Sequence, residues 1–399
     1  MRKTCEKLTA SPKFLLRKAL APLLAACVLL ISCANPSPQV IDAAVSGDPE
    51  RLARALLEAE LSRNNIPVDL EDLKNLEDIP TLIRVVRQLL TRVWGEDEPE
   101  VASDHRYVKY SNDYEARAIV DFDEGWLQVE TVASERPLGK LRQATINTLL
   151  TSRDMTVEDI FTDVEAPTGG EPFLYKQVLD ADGKPIRWEW RAARFADHLL
   201  DTALTSSREN GRVYHRVRVA LVNDHLKLRS LDYADAVLAA ARRYAVAPSL
   251  IYAVIEVESG FNPYAVSPAN AYGLMQVVPS SAGRDVYDKV KKLPGQPTRE
   301  QLFKPSYNID VGSAYLHLLD DTYLKRISDS SSRRFATIAA YNGGAGSTLK
   351  AFDTNRDRAI ARINRLSSSQ VYTQIVSSHP FGETRRYLEK VRAAETKYR

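Results

Sequence analysis

Cysteine is nearly absent from this 399-residue chain. It occurs only at Cys5, Cys27 and Cys33, and not at all from residue 34 onward. That excludes a disulfide framework and a cysteine-based metal site over almost the whole length. Net charge is nearly absent as well: 54 basic residues against 52 acidic ones leave +2. A nucleic-acid protein driven by bulk charge is therefore not expected, although a local basic patch remains open. Histidine is scarce at six, and no His/Cys/Asp/Glu spacing resembles a zinc site. Gly343 to Gly346 form a small glycine-rich stretch, but no Lys-Ser/Thr follows as a phosphate-binding loop requires. Neither metal nor cofactor is expected. There is no internal repeat and no low-complexity tract. What remains is an ordinary globular balance of 44% hydrophobic and 27% charged residues, long enough for two or three domains.

The N-terminus is the first feature with content. Arg2, Lys3, Lys7, Lys13, Arg17 and Lys18 precede the apolar run Ala19 to Ile31. That run is too short to cross a bilayer comfortably, and the order of basic, apolar and small residues reads as a secretory signal. The ending Leu30-Ile31-Ser32-Cys33 resembles a bacterial lipobox. The resemblance implies cleavage before Cys33 and its acylation, with residues 1–32 as signal peptide and 33–47 as a lipid-anchored tether. Each buried CH₂ of an acyl chain contributes about 0.8 kcal/mol, so several chains on one residue anchor stably. Ala34 stands where Asp would favour the inner membrane, so the expected location is the outer membrane, facing the periplasm.

Residues 48–225 mix helical and strand patterns and are expected to form an α+β accessory domain with an antiparallel sheet. Helical spacing covers Arg51 to Leu61, Ile79 to Val93, Leu138 to Leu150 and Arg191 to Leu204. Strand patterns cover Tyr107 to Tyr110, Ala116 to Phe122, Trp126 to Val132 and Arg212 to Val222. Phe173 to Leu179 and Ile186 to Trp190 flank Asp180-Ala181-Asp182-Gly183 and read as a hairpin. From about residue 232 to 399 helical signals dominate: Tyr233 to Tyr244, a helix begun by Pro248, then Met275 to Ala282, Ile309 to Tyr323, Phe335 to Tyr341 and Thr384 to Lys397. Residues 288–300 and 328–334 read as loops.

The stretch Ala253 to Pro263, "AVIEVESGFNP", holds two acids two positions apart. On a helix from Pro248 to Ser259, Ile251, Val254, Ile255 and Glu258 share a face, and Glu256 lies off it. Burial on that apolar stripe disfavours the charged carboxylate, and an acid still protonated near neutral pH serves as a general acid. The plainer alternative is a helix-end glutamate bonded to a nearby donor. Glu256 reads as a solvated or ion-paired surface acid.

Further motifs follow in order: "ESGFNPYAVS" from Glu258, "GLMQVVP" from Gly273, "AYNGG" from Ala340 and "RRYLEKV" from Arg385. Together they resemble the soluble-lytic-transglycosylase family, which implies a mostly α-helical, goose-lysozyme-like catalytic domain over residues 232–399. The resemblance further implies cleavage of the β-1,4 bond between N-acetylmuramic acid and N-acetylglucosamine, with 1,6-anhydromuramoyl products and no water consumed. It makes peptidoglycan glycan strands the expected partner; protein partners remain unknown. Glu258 would act first as acid and then as base, and Ser267, Gln276, Tyr341, Asn342 and Tyr387 would line the sugar site. Ser259, Gly273 and Met275 would shape the loop and floor. Val278 departs from the pattern, since some members carry a second Met there. After Glu258 the next acid in sequence is Asp285. A lone acid fits a mechanism in which the substrate supplies the nucleophile, but an acid distant in sequence is equally able to fold in. His379 before Pro380 is a further candidate for substrate contact. A lysozyme-like hydrolase and a non-catalytic murein-binding lipoprotein are the competing functions.

Overall fold

The strand patterns of the first half close into one antiparallel sheet. The computed structural model describes residues 86–87, 90–96, 99–153, 163 and 165–399. Met1–Arg92 and Val93–Arg399 are two separate units, and of the first only a helical remnant at residues 86–87 and 90–92 is described. The expected signal, Cys33, the tether and the helix at Arg51 to Leu61 lie outside the described residues.

The sheet comprises β1 (Arg106–Ser111), β2 (Ala116–Asp121), β3 (Trp126–Thr131), β4 (Thr205–Glu209) and β5 (Arg212–Ala220), in the order β1-β2-β3-β5-β4. Every residue of the interior strand β2 is buried. Its register sets Arg117 opposite Glu130, and Glu130 opposite Arg216. Arg117 Nε and Arg216 Nε donate to the two oxygens of Glu130 at 2.6 and 2.5 Å, so a charge row crosses three strands. A buried carboxylate held this way tolerates loss of neither partner. Helices α1 (Pro137–Leu150) and α2 (Glu189–Thr202) pack together and cover the sheet.

The expected hairpin at residues 173–190 is only partly formed. Its turn exists, with Asp180 N–H to Lys184 O at 2.9 Å and Gly183 at φ 71°. Pairing stops at one bridge between Leu179 and Pro185, and Trp190 already belongs to α2. Pro185 has no N–H to extend a ladder. Strand β4 is an addition. Its sequence "TSSRE" is mostly exposed and lacks an apolar face to announce it.

The second half is helical. After α3 (His225–Asp232) come α4 (Ala234–Tyr244), α5 (Pro248–Ser259), α6 (Pro305–Leu318) and α7 (Ser330–Gly343). Then follow α8 (Ala345–Lys350), α9 (Arg356–Ile363), α10 (Ser368–Ser378) and α11 (Gly382–Glu395). Helix α7 begins inside the expected loop 328–334, because Asp329 accepts the N–H of Ser332 at 2.7 Å and caps it. Residues 288–300 likewise carry the end of a π-type turn, Val286–Lys291. Met275 is not helical as expected. It sits in a loop closed by reciprocal bonds between Tyr272 and Val277 at 3.2 and 3.1 Å, and a π-type turn follows only at Pro279–Gly283. Helix α5 packs against α11, and α11 against α7. The architecture is α+β: an antiparallel sheet region followed by a mostly helical one.

Candidate active site

Helix α5 is bounded by its own sequence. Pro248 occupies the first turn, where a missing N–H costs nothing, and Gly260 at φ 55° closes the other end through its N–H to Glu256 O at 2.9 Å. Ile251, Val254 and Ile255 are buried, as the helical phase predicts, but so are Leu250, Ala253 and Ser259. The helix is therefore enclosed on more than one side. Phe261 follows at φ 62°, a conformation a bulky side chain rarely adopts. Its ring is fully buried beside Tyr233, Tyr252 and Tyr398, and that packing holds the strained exit.

Glu258 stands at this end. Its side chain is half-buried, and dense surrounding protein pushes its pKa to about 8. Burial is the largest cause. The charges of Asp104 and Glu383 push the same way, and a hydrogen bond from Tyr387 and the charge of His105 pull back. Tyr387 on α11 donates to Glu258 Oε1 at 2.6 Å. Tyr341 on α7 donates to the Met275 carbonyl at 2.8 Å. Burial, followed by the charge of Glu258, raises the pKa of both tyrosines well above 10. Three helices thus bring Glu258, Tyr341 and Tyr387 into one neutral-to-protonated cluster.

The floor is the loop after α5. The Ser259 hydroxyl lies 2.8 Å from Leu274 O and 3.0 Å from Ile255 O, so its single proton serves one or the other. Asn308, which the sequence did not single out, is fully buried and ties this loop to the segment before α6. Its Oδ1 accepts from Met275 N–H at 2.8 Å, and its Nδ2 donates to Tyr272 O and Leu302 O at 2.7 and 2.8 Å. Gly273, at φ 70°, leaves no room for a side chain: a Cβ there would stand 2.5 Å from Asn308 Nδ2. Gln276 follows at φ 44°, and its side-chain amide donates back to Gly273 O at 3.0 Å.

The remaining candidates are placed less directly. Asn342 bridges α7 to α11, accepting from Thr384 Oγ1 at 2.6 Å and donating to Glu383 Oε1 at 3.1 Å. Ser267 serves its own turn, where its hydroxyl accepts the N–H of Ala269 at 3.3 Å. His379 is fully buried; its Nδ1 accepts from Phe381 N–H at 3.1 Å, and burial lowers its pKa. It packs the α10–α11 corner and is not open to a substrate. Glu256 is ion-paired with Lys397 and accepts from Tyr398 Oη at 2.6 Å, so it fastens the C-terminus. Near Tyr341, Tyr315 packs at 5.6 Å and lines a cavity of about 360 Å³ together with Asp285, Tyr323 and Lys350. Among the described residues no group of three or more His, Cys, Asp or Glu is placed to hold a metal, and no helix is long and apolar enough to cross a membrane.

Sequence comparison extends this picture to both halves of the chain. Residues 72–232 match the N-terminal domain of membrane-bound lytic murein transglycosylase C, and residues 235–364 match a transglycosylase SLT domain. Two relatives from Yersinia pestis (strain Pestoides F) and Yersinia pseudotuberculosis serotype O:1b (strain IP 31758) are both called membrane-bound lytic murein transglycosylase C. Each is 46% identical over 311 residues, covering 78% of this chain and 87% of the relative. The chain belongs to the membrane-bound lytic murein transglycosylase C family.

Proposed function

We propose that this chain cleaves the β-1,4 bond between N-acetylmuramic acid and N-acetylglucosamine in peptidoglycan, with Glu258 as acid and then base. As a member of its family it is a peptidoglycan lytic transglycosylase, a lyase. The observation that carries the assignment of Glu258 is its state: a half-buried carboxyl at the end of a buried helix, hydrogen-bonded by Tyr387 and with a pKa raised to about 8. Such a group is protonated at neutral pH and able to donate to the leaving glycosidic oxygen. Once ionised, it keeps the hydrogen bond of Tyr387, which favours the carboxylate that must next take a proton. In the lytic reaction that proton comes from the sugar's own 6-hydroxyl, whose oxygen closes the anhydro ring on the anomeric carbon. The muramoyl N-acetyl group assists at that carbon. Tyr341, Gln276 and the cavity beside Tyr315 supply hydrogen bonds and ring surface for the glycan, with Asn342 and Ser267 at its margin. Residues 48–225 serve as the accessory part and residues 232–399 as the catalytic part. Cys33 carries the lipid that holds the protein at the outer membrane, facing the periplasm.

Hydrolysis on the same scaffold is the second reading. It is favoured by Asp104 and Glu383, carboxylates remote in sequence whose charges reach Glu258. Mass spectrometry of digested sacculi separates the two: anhydro ends are expected, and reducing ends alone overturn lytic cleavage. Glu258→Gln is expected to abolish release. Full release by that variant removes Glu258 from the mechanism and leaves a murein-binding lipoprotein excluded. Cys33→Ala is expected to lose the protein from membrane fractions; retention there overturns the anchor.

A further inference from the structure

The carboxyl end of α5 points into the sheet region. The last carbonyls of a helix lack partners within it and must find them elsewhere. Val257 O, the carbonyl just before Glu258, lies 3.1 Å from His105 Nε2, which precedes β1. Gly260 O accepts from Arg229 Nε on α3 at 3.0 Å. Arg229 is buried and also donates to Gln177 Oε1 at 3.1 Å and Phe122 O at 3.4 Å.

The other ring nitrogen of His105, Nδ1, lies 2.7 Å from Asp123 Oδ1 in the β2–β3 turn. A carbonyl and an ionised carboxylate only accept, so both ring nitrogens donate and the ring is an imidazolium. Asp123 stays ionised, its pKa lowered first by the His105 hydrogen bond. Burial works against the charged ring, but the bond and charge of Asp123 outweigh it and raise the pKa of His105 above 6.5. Asp104 and Glu258 also act on His105 by charge, and Lys390 and Arg229 act on Asp123. Two cations therefore stand at the negative end of the helix that carries Glu258.

We infer that His105, oriented by Asp123, is a positioning residue for Glu258: by holding the Val257 carbonyl it lets the sheet region set the last turn of α5. This rests on the assignment of Glu258 as the acid. Displacing a proton donor by about 1 Å costs roughly 100-fold in rate.

The test uses the full chain and soluble glycan strands, with kcat, KM and a thermal melt for each variant. His105→Ala is expected to lower kcat about 10- to 100-fold while KM stays within about two-fold. His105→Gln, whose amide N–H reaches the same carbonyl, is expected to restore kcat to within about five-fold of wild type. Asp123→Asn removes the charge that holds the ring and is expected to lower kcat about 3- to 10-fold, a milder change should His105→Ala fail to fold. Wild-type kcat in folded His105→Ala or Asp123→Asn overturns the inference, as does a folded His105→Gln no better than alanine. Glu258→Gln separates the levels. If it is inactive while His105→Ala is normal, positioning alone fails. If it is active, the assignment of Glu258 fails and positioning falls with it.

Discussion

Tyr387 and Glu258 are 129 residues apart in sequence and 2.6 Å apart in space, hydroxyl to carboxylate oxygen. The bond joins α11 to α5 and works against the burial that raises the Glu258 pKa. A protonated acid and a ready base place opposite demands on one group. Burial serves the first and the Tyr387 donor serves the second.

Tyr387→Phe removes the donor and keeps the ring. A hydrogen bond to a charged group contributes about 1.5–3 kcal/mol, so kcat is expected to fall roughly 10- to 100-fold. The donor favours the ionised form, so its loss raises the Glu258 pKa further. The alkaline limb of kcat against pH should therefore move upward. A profile that stays in place or moves down removes Tyr387 as the tuning group.

Glu258 also gives stability a pH dependence. Its folded pKa, about 8, lies above the ordinary 4.5, so the folded chain binds the proton more tightly than the unfolded one. Stability therefore falls as pH rises from 4.5 through 8, the interval over which only the unfolded state is ionised, and the loss is complete above 8. Glu258→Gln does not ionise. Its melting temperature is expected to exceed that of wild type at pH 9, with the gap closing towards pH 4.5. Parallel melting curves across that range contradict a raised Glu258 pKa.

The floor loop depends on two residues that touch no proposed reacting atom. Gly273→Ala forces a side chain onto Asn308 and Leu302 O at a left-handed φ, and is expected to destabilise by more than about 1 kcal/mol. Gly295→Ala is the control: its φ is also positive, but open space surrounds it. Asn308→Ala takes this partner from the Met275 N–H and Leu302 O, while Tyr272 O keeps the N–H of Val277, at about 1–3 kcal/mol for each buried group left unsatisfied. Chemical denaturation measures all three. Equal losses at Gly273 and Gly295 would show that the backbone angle, not the packing against Asn308, sets the requirement.

Local signals were legible in the sequence wherever chemistry and structure share a segment. Pro248 and Gly260 bracket α5, the helical phase sets Ile251, Val254 and Ile255 inward, and strand patterns give β1, β2, β3 and β5. The rest depends on partners far along the chain. Nothing around Asn308 announces that it closes a loop 33 residues earlier, or around His105 that it meets a carbonyl 152 residues later. The Met275 segment has helical spacing, yet Asn308 and the Tyr272–Val277 bonds hold it as a loop. Tertiary bonds override spacing there because they satisfy buried backbone groups. His379 looked open beside a proline, whereas its ring fills space against Gly343.

Glu256 provides the contrast within α5. Its carboxylate meets Lys397 and Tyr398, away from Tyr387 and the floor loop. Lys397 is more than half exposed, so the ion pair contributes little, about 0–1 kcal/mol. The Tyr398 bond adds more, because Tyr398 also stacks on Tyr252 at 5.1 Å and meets Phe261 at the helix exit. Glu256→Ala is expected to leave kcat within about two-fold of wild type and to destabilise by about 1 kcal/mol through the loosened C-terminus. Activity on glycan strands and a denaturant midpoint measured on the same preparation check both halves. A loss of kcat comparable to that of Glu258→Gln, with the midpoint unchanged, would move the chemistry to the other face of α5.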